Sequence, residues 1–126
     1  MNTKINIKAT NLELTGHLRN HIDEKIIALE KFMSLTADEI PIVDIEVEKK
    51  HGDHHKQGQI YRAEITLGFR GKVLRTESTC EDIIVSINDA QDEMVRRVRK
   101  TREKKNDLFK RGAKNIKKML RFGKGE

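Results

Sequence analysis

VDIEVEKKHGDHHKQGQIYRAEITLGFRGKVLRTEST, residues 43–79, is the stretch that decides the fold. Val43, Ile45 and Val47 alternate with Asp44, Glu46 and Glu48, the period-two pattern of a strand with one apolar and one acidic face. Tyr61, Ala63, Ile65 and Leu67 alternate in the same way with Arg62, Glu64 and Thr66. Between them, Lys49 to Gly58 is hydrophilic and carries Gly52 and Gly58, as a loop joining two strands does. Gly68-Phe69-Arg70-Gly71 supplies a short turn, after which Lys72 to Thr79 makes a further strand with Val73 and Leu74 near its start. Three consecutive strands of this kind predict an antiparallel meander.

Upstream, Ile5, Ile7 and Ala9 alternate with Asn6, Lys8 and Thr10, a half-buried first strand. Leu18, Ile22, Ile26, Leu29 and Met33 then recur every three or four residues, predicting an amphipathic helix from Thr15, its cap, to about Met33. Ser34 to Pro41 shows no period and connects to the meander. Downstream, Asp82 caps a long helix whose stripe is Ile83, Ile87, Ala90, Met94 and Val98. Its first four turns can cover a sheet. Beyond Gly112, Ala113, Ile116, Met119 and Leu120 form a short second stripe, expected to order only when bound. The fold class is therefore α+β: a two-layer β-α-β-β-β-α sandwich, both helices on one sheet face, with a basic C-terminal tail. Residues 1–105 make the domain and 106–126 the extension.

With 126 residues, the chain suits one domain with a real core and is short for two. Charged residues make up 37% and hydrophobic residues 36%, polar but richer than a disordered chain. Met1 to Ile7 lacks the apolar block of a signal peptide, and no apolar run is long enough to span a bilayer. A lone cysteine, Cys80, cannot form an internal disulfide, which favours the cytoplasm.

Charge is unevenly placed. From Arg96 to Glu126, 14 Lys/Arg stand against 3 Asp/Glu, a net of +11, while the remainder carries 12 against 17, a net of −5; together they make the overall +6. A mildly acidic body thus ends in a strongly basic arm, which favours a polyanion through field and counterion release. Arg96, Arg97, Arg99, Lys100, Arg102, Lys104 and Lys105 place seven cations in ten positions. Lys110, Arg111, Lys114, Lys117, Lys118 and Arg121 continue the run. Helix-dipole compensation accounts for a few of these, not for all. On the first helix, Arg19, Lys25 and Lys31 serve either as further phosphate contacts or as ordinary helix support. Tyr61 stands alone, Phe is scarce and Trp is absent, so recognition is expected to follow phosphate geometry and shape, with base stacking secondary. A membrane surface would have only the short face of Ile116, Met119, Leu120 and Phe122 to hold, so no membrane is expected.

Chemistry is poorly supplied. His51, His54 and His55 offer at most three imidazoles on a glycine-flanked loop without zinc-site spacing, so they are taken as a polar loop, and neither metal nor cofactor is expected. Cys80 has no spacing-defined histidine, no Walker loop or serine elbow occurs, and Asp44, Glu46 and Glu48 are explained by a solvated sheet face. The chain is not expected to be an enzyme.

Several segments resemble a known family: Leu14-Thr15, Leu18-Arg19-x-His21-Ile22, Leu29-Glu30-Lys31-Phe32, the turn ending in Gly71, Glu81-Asp82-Ile83, Ser86-Ile87-Asn88 and Arg96-Arg97-Val98-Arg99-Lys100. In this order and spacing, from Ile5 to about Lys105, they resemble the short form of the ribosome hibernation promoting factor and ribosome-associated stress inhibitor family. The resemblance implies a double-stranded-RNA-binding-like fold, monomeric when free. It implies a site on the bacterial small ribosomal subunit, in the messenger-RNA channel, overlapping the transfer-RNA positions. It places Arg96, Arg97, Arg99 and Lys100 on ribosomal RNA phosphates, with Arg19 and Lys25 contributing. Inhibition of translation by steric competition with messenger RNA and transfer RNA follows from that position. Glu93 and Thr79 stand where members often carry Lys or Arg, and the tail is basic where some short members have an acidic one. The competing reading is a general structured-RNA-binding or assembly protein that leaves the decoding site open.

Overall fold

The computed structural model describes residues 3–33, 35, 39–50 and 59–101. Chain order is β1 (Lys4–Thr10), α1 (Gly16–Glu30), β2 (Ile42–Lys50), β3 (Ile60–Phe69) and β4 (Lys72–Cys80), then α2, residues 83–101, helical up to the last described residue. The strands form one sheet in the order β1-β2-β3-β4. β1 pairs parallel with β2, so α1 is the crossover between them. β2, β3 and β4 pair antiparallel as the alternation predicts.

Register explains which side is covered. Ile7, Ile45, Ile65 and Thr76 lie in one row across the sheet, pointing to the inner face. On that face Val43, Ile45, Val47, Ala63, Ile65 and Leu67 are buried against Leu18, Ile22, Ile26 and Leu29 of α1 and Ile87, Ala90, Met94 and Val98 of α2. Both stripes seen in the sequence are therefore the core.

The helix ends follow local chemistry. Thr15 Oγ1 accepts from the Leu18 N–H at 3.1 Å, and Asp82 Oδ1 from the Ile84 N–H at 2.7 Å. α1 stops at Glu30, short of Met33, because the chain tightens: the Phe32 and Met33 N–H groups donate three residues back, to Leu29 and Glu30 carbonyls. Met33 is buried all the same. The β3–β4 turn is also shorter than expected. Arg70 and Gly71 have φ of 53° and 74°, the two left-handed positions of a type I′ hairpin, so Gly68 and Phe69 complete β3.

β4 departs most from a simple apolar stripe. Val73 lies on the outer face, and the buried side of the strand carries Thr76, with half-buried Ser78. Thr76 Oγ1 donates to the Ala90 carbonyl at 2.8 Å, tying the edge strand to α2. Ser86 Oγ makes a comparable link from α2 to the Tyr61 carbonyl at 3.0 Å. Thr76→Val keeps the shape and removes the first bond; stability falls by about 1 kcal/mol, visible as a lower urea midpoint at unchanged slope.

Candidate nucleic-acid interface

The two helices run parallel, which determines where the cations collect. His21 Nε2 lies 2.8 Å from Asn88 Oδ1, Gln91 Nε2 donates to the Lys25 carbonyl at 3.1 Å, and the Arg99 guanidinium lies over the Phe32 ring at 5.8 Å from its centroid. These pairs advance together along both chains. The C-terminal end of α1 and the residue 96–100 segment of α2 therefore share one end of the helix layer. That end holds Lys31 together with Arg96, Arg99 and Lys100, all four exposed.

Arg96, Arg97, Arg99, Lys100 and Glu93 line a shallow open recess. Glu93 is 3.7 Å from Arg96 and 3.6 Å from Arg97. The Arg96 side chain is 78% exposed, so this pair is weak and a phosphate can displace it. Arg97 differs from its neighbours: its Nη1 donates to the Arg75 carbonyl at 2.8 Å, on β4. It therefore has a structural task alongside any contact with an anion. Phe32 escaped notice as a candidate because it sits beside a basic segment far away in sequence. Half-buried, it presents its ring face to the Arg99 guanidinium.

The other predicted cations are more scattered. Arg19 is exposed on the first turns of α1, about 18 Å along the axis from Lys31 by helical rise. Lys25 is half-buried about two turns from Lys31. Arg102, Lys104, Lys105, Lys110, Arg111, Lys114, Lys117, Lys118 and Arg121 lie outside the described residues, as do His51, His54 and His55.

The outer sheet face has a different character. Arg62, only 14% exposed, sits between carboxylates of three strands: Glu46 at 2.7 Å, Glu64 at 2.5 Å, Glu77 at 3.3 Å and Glu48 at 3.6 Å. Arg62 hydrogen bonding, with help from Lys8, holds the Glu46 carboxyl below its ordinary range despite partial desolvation. Burial opposes the Arg62 charge, but the bonds to Glu46 and Glu77 outweigh it and raise its pKa. Glu46 and Glu48 thus belong to an arginine-centred network, whereas Asp44 Oδ1 accepts from Asn6 Nδ2 at 2.8 Å. Among the described residues, no group of three His, Cys, Asp or Glu is placed to hold a metal ion. No described helix is long and apolar enough to cross a membrane.

Comparison with known proteins agrees with the fold. The chain is 29% identical over 105 residues to the ribosome hibernation promotion factor of Bacillus subtilis (strain 168), covering 83% of this chain and 51% of that protein. It is 28% identical over 105 residues to the chloroplastic ribosome-binding factor PSRP1 of Spinacia oleracea, covering 82% of this chain and 34% of that one. The chain thus spans about half the length, or less, of these curated relatives. Among solved structures, the Thermus thermophilus Protein Y N-terminal domain superposes with a TM-score of 0.62 at 24% identity, over 80% of this chain and 99% of that one. A ribosomal subunit interface protein from Coxiella burnetii gives the same TM-score at 12% identity, with the same coverage. The family model described as sigma 54 modulation protein / S30EA ribosomal protein matches residues 5–106, so the chain belongs to that family.

Proposed function

We propose that the protein is a ribosome hibernation factor that binds the small ribosomal subunit and inhibits translation by occupying space needed by messenger RNA and transfer RNA. The observation that carries this reading is the assembly of Lys31, Arg96, Arg99 and Lys100 at one end of two parallel helices. Four exposed cations on rigid elements suit a phosphate backbone, where many moderate charge-assisted contacts add up. Arg97, Lys25 and Arg19 extend the surface, and Arg102, Lys104 and Lys105 continue it along the chain. Residues 1–105 act as the binding domain and 106–126 as a cationic extension. The names of the relatives support a ribosomal partner. The function needs no catalysis, only a folded body in the path of larger ligands, and it belongs in the cytoplasm.

Sedimentation of the purified protein with small subunits, at two salt concentrations and with transfer RNA as competitor, tests this directly. Near one-to-one binding that weakens with salt and with transfer RNA is expected. Binding that transfer RNA leaves unchanged would instead favour the structured-RNA reading. No binding at low salt would overturn both.

A further inference from the structure

The basic end of the domain is bounded by strands as well as helices. α2 runs antiparallel to β4, since Asp89 meets Cys80 and Arg97 meets Arg75. The last described turn of α2 therefore lies over the start of β4, where Lys72 follows the hairpin turn of Arg70 and Gly71. Lys72 is about 10 Å back along β4 from Arg75, and Lys100 about 5 Å onward along α2 from Arg97. The two lysines thus stand at nearly the same level. Strand alternation puts Lys72 on the inner face, next in the row after Thr76 and Leu74, which pack toward the helices. Lying past the core, it is exposed. Its charge is also uncompensated: Lys72 makes no ion pair among the described residues. Of the acids at this end, Glu39 accepts from Arg70 Nε at 2.5 Å and Nη2 at 2.7 Å, Glu93 lies between Arg96 and Arg97, and Glu30 is buried.

We infer that Lys72 is a further phosphate contact, which the sheet layer adds to the surface of Lys31, Arg96, Arg99 and Lys100. This deepens the proposed ribosomal-RNA reading of that surface and rests on it. Compensation of a helix dipole does not call for a lysine here, because Lys72 belongs to no helix. Cations on both layers suit a nucleic-acid backbone that crosses the end of the sandwich, from the helices to the hairpin, over one that follows α1 toward Arg19. Arg75 marks the limit of the surface. It carries the same charge on the same strand, but on the outer face, 3.9 Å from Glu64 and beside the carboxylates around Arg62. Those carboxylates repel a phosphate, whereas nothing described beside Lys72 does.

The test is the affinity of the full chain for small ribosomal subunits at three salt concentrations, for wild type, Lys72→Gln, Lys72→Arg and Arg75→Gln. Lys72→Gln is expected to weaken binding about fivefold at 0.1 M salt and to flatten the salt slope by about 0.7–0.9, the share of one phosphate. Lys72→Arg should bind as wild type does, and Arg75→Gln nearly so. Every variant should keep the wild-type unfolding midpoint, because both positions are exposed. Wild-type binding together with an unchanged Lys72→Gln would overturn this inference alone, leaving a lysine that only keeps an edge strand from pairing. Equal losses for Lys72→Gln and Arg75→Gln would overturn it too, in favour of a general field effect. Failure of the wild type to bind would overturn the ribosomal reading and this contact with it.

Discussion

Replacing Arg96, Arg99 and Lys100 together by alanine is expected to weaken binding to the small ribosomal subunit about 10²-fold at 0.1 M salt. The size follows from counterion release. Each phosphate contact contributes about 0.7–0.9 to the slope of log affinity against log salt, so three lost contacts flatten it by about 2–3. Arg19→Ala, which removes one contact remote from the cluster, should cost no more than about fivefold by the same arithmetic. All four side chains are exposed, so the unfolding midpoint should stay put. A binding titration at three salt concentrations checks both numbers. Unchanged affinity and slope for the triple variant would mean that the helix ends do not touch the RNA.

Arg62→Met should be the most damaging single charge change, at about 2–3 kcal/mol of stability. Removing the guanidinium leaves Glu46, Glu48, Glu64 and Glu77 facing one another across three strands without their shared cation. An exposed arginine of the same face, Arg75, is 3.9 Å from Glu64, and its replacement should cost well under 1 kcal/mol. The pH dependence separates this account from simple packing loss. Glu46 has a lowered pKa in the folded protein, so its contribution is present above the ordinary glutamate value of about 4.3. It is lost as pH falls through the lower folded value. Wild-type stability should therefore drop in that acid range, whereas the variant, relieved of repulsion by protonation, should hold level or gain. Salt should partly rescue the variant by screening. Urea unfolding from pH 7 to 3 reads all three effects, and parallel pH profiles for the two proteins would rule the electrostatic account out.

The architecture was legible because its strands and helices have clean periods. Val43-Ile45-Val47 and Ala63-Ile65-Leu67 could only face one way, and the α1 and α2 stripes had to cover them. β4 was harder to read, since after Leu74 its inner positions are Thr76 and Ser78, and the burial of Thr76 depends on a hydrogen bond to the Ala90 carbonyl that no hydropathy pattern announces. The candidate site was half visible. The run Arg96 to Lys100 stood out by charge, but its union with Lys31 and Phe32 depends on helix direction. So does the separation of Arg19 from them. The family resemblance contributed in an unexpected way: Thr15 and Asp82 cap helices, His21 meets Asn88, and Ser86 reaches β3. Those segments set the scaffold, while the cations at its end are the proposed contacts. Arg62 looked like an ordinary alternating charge because its four partners come from three different strands.

The parallel arrangement of α1 and α2 also has a kinetic meaning. The β3–β4 hairpin closes through two residues, whereas His21 and Asn88 are 67 positions apart and β1 pairs with β2 at a separation of 38. Local closure is entropically cheap and fast; the distant contacts come late. Every charge of the basic end is present in the unfolded polymer, but their spacing relative to Lys31 exists only after the last long loop has closed. A newly made chain therefore carries its basic arm as soon as synthesis reaches it, but the arrangement of those charges around Lys31 is set only at the end of folding.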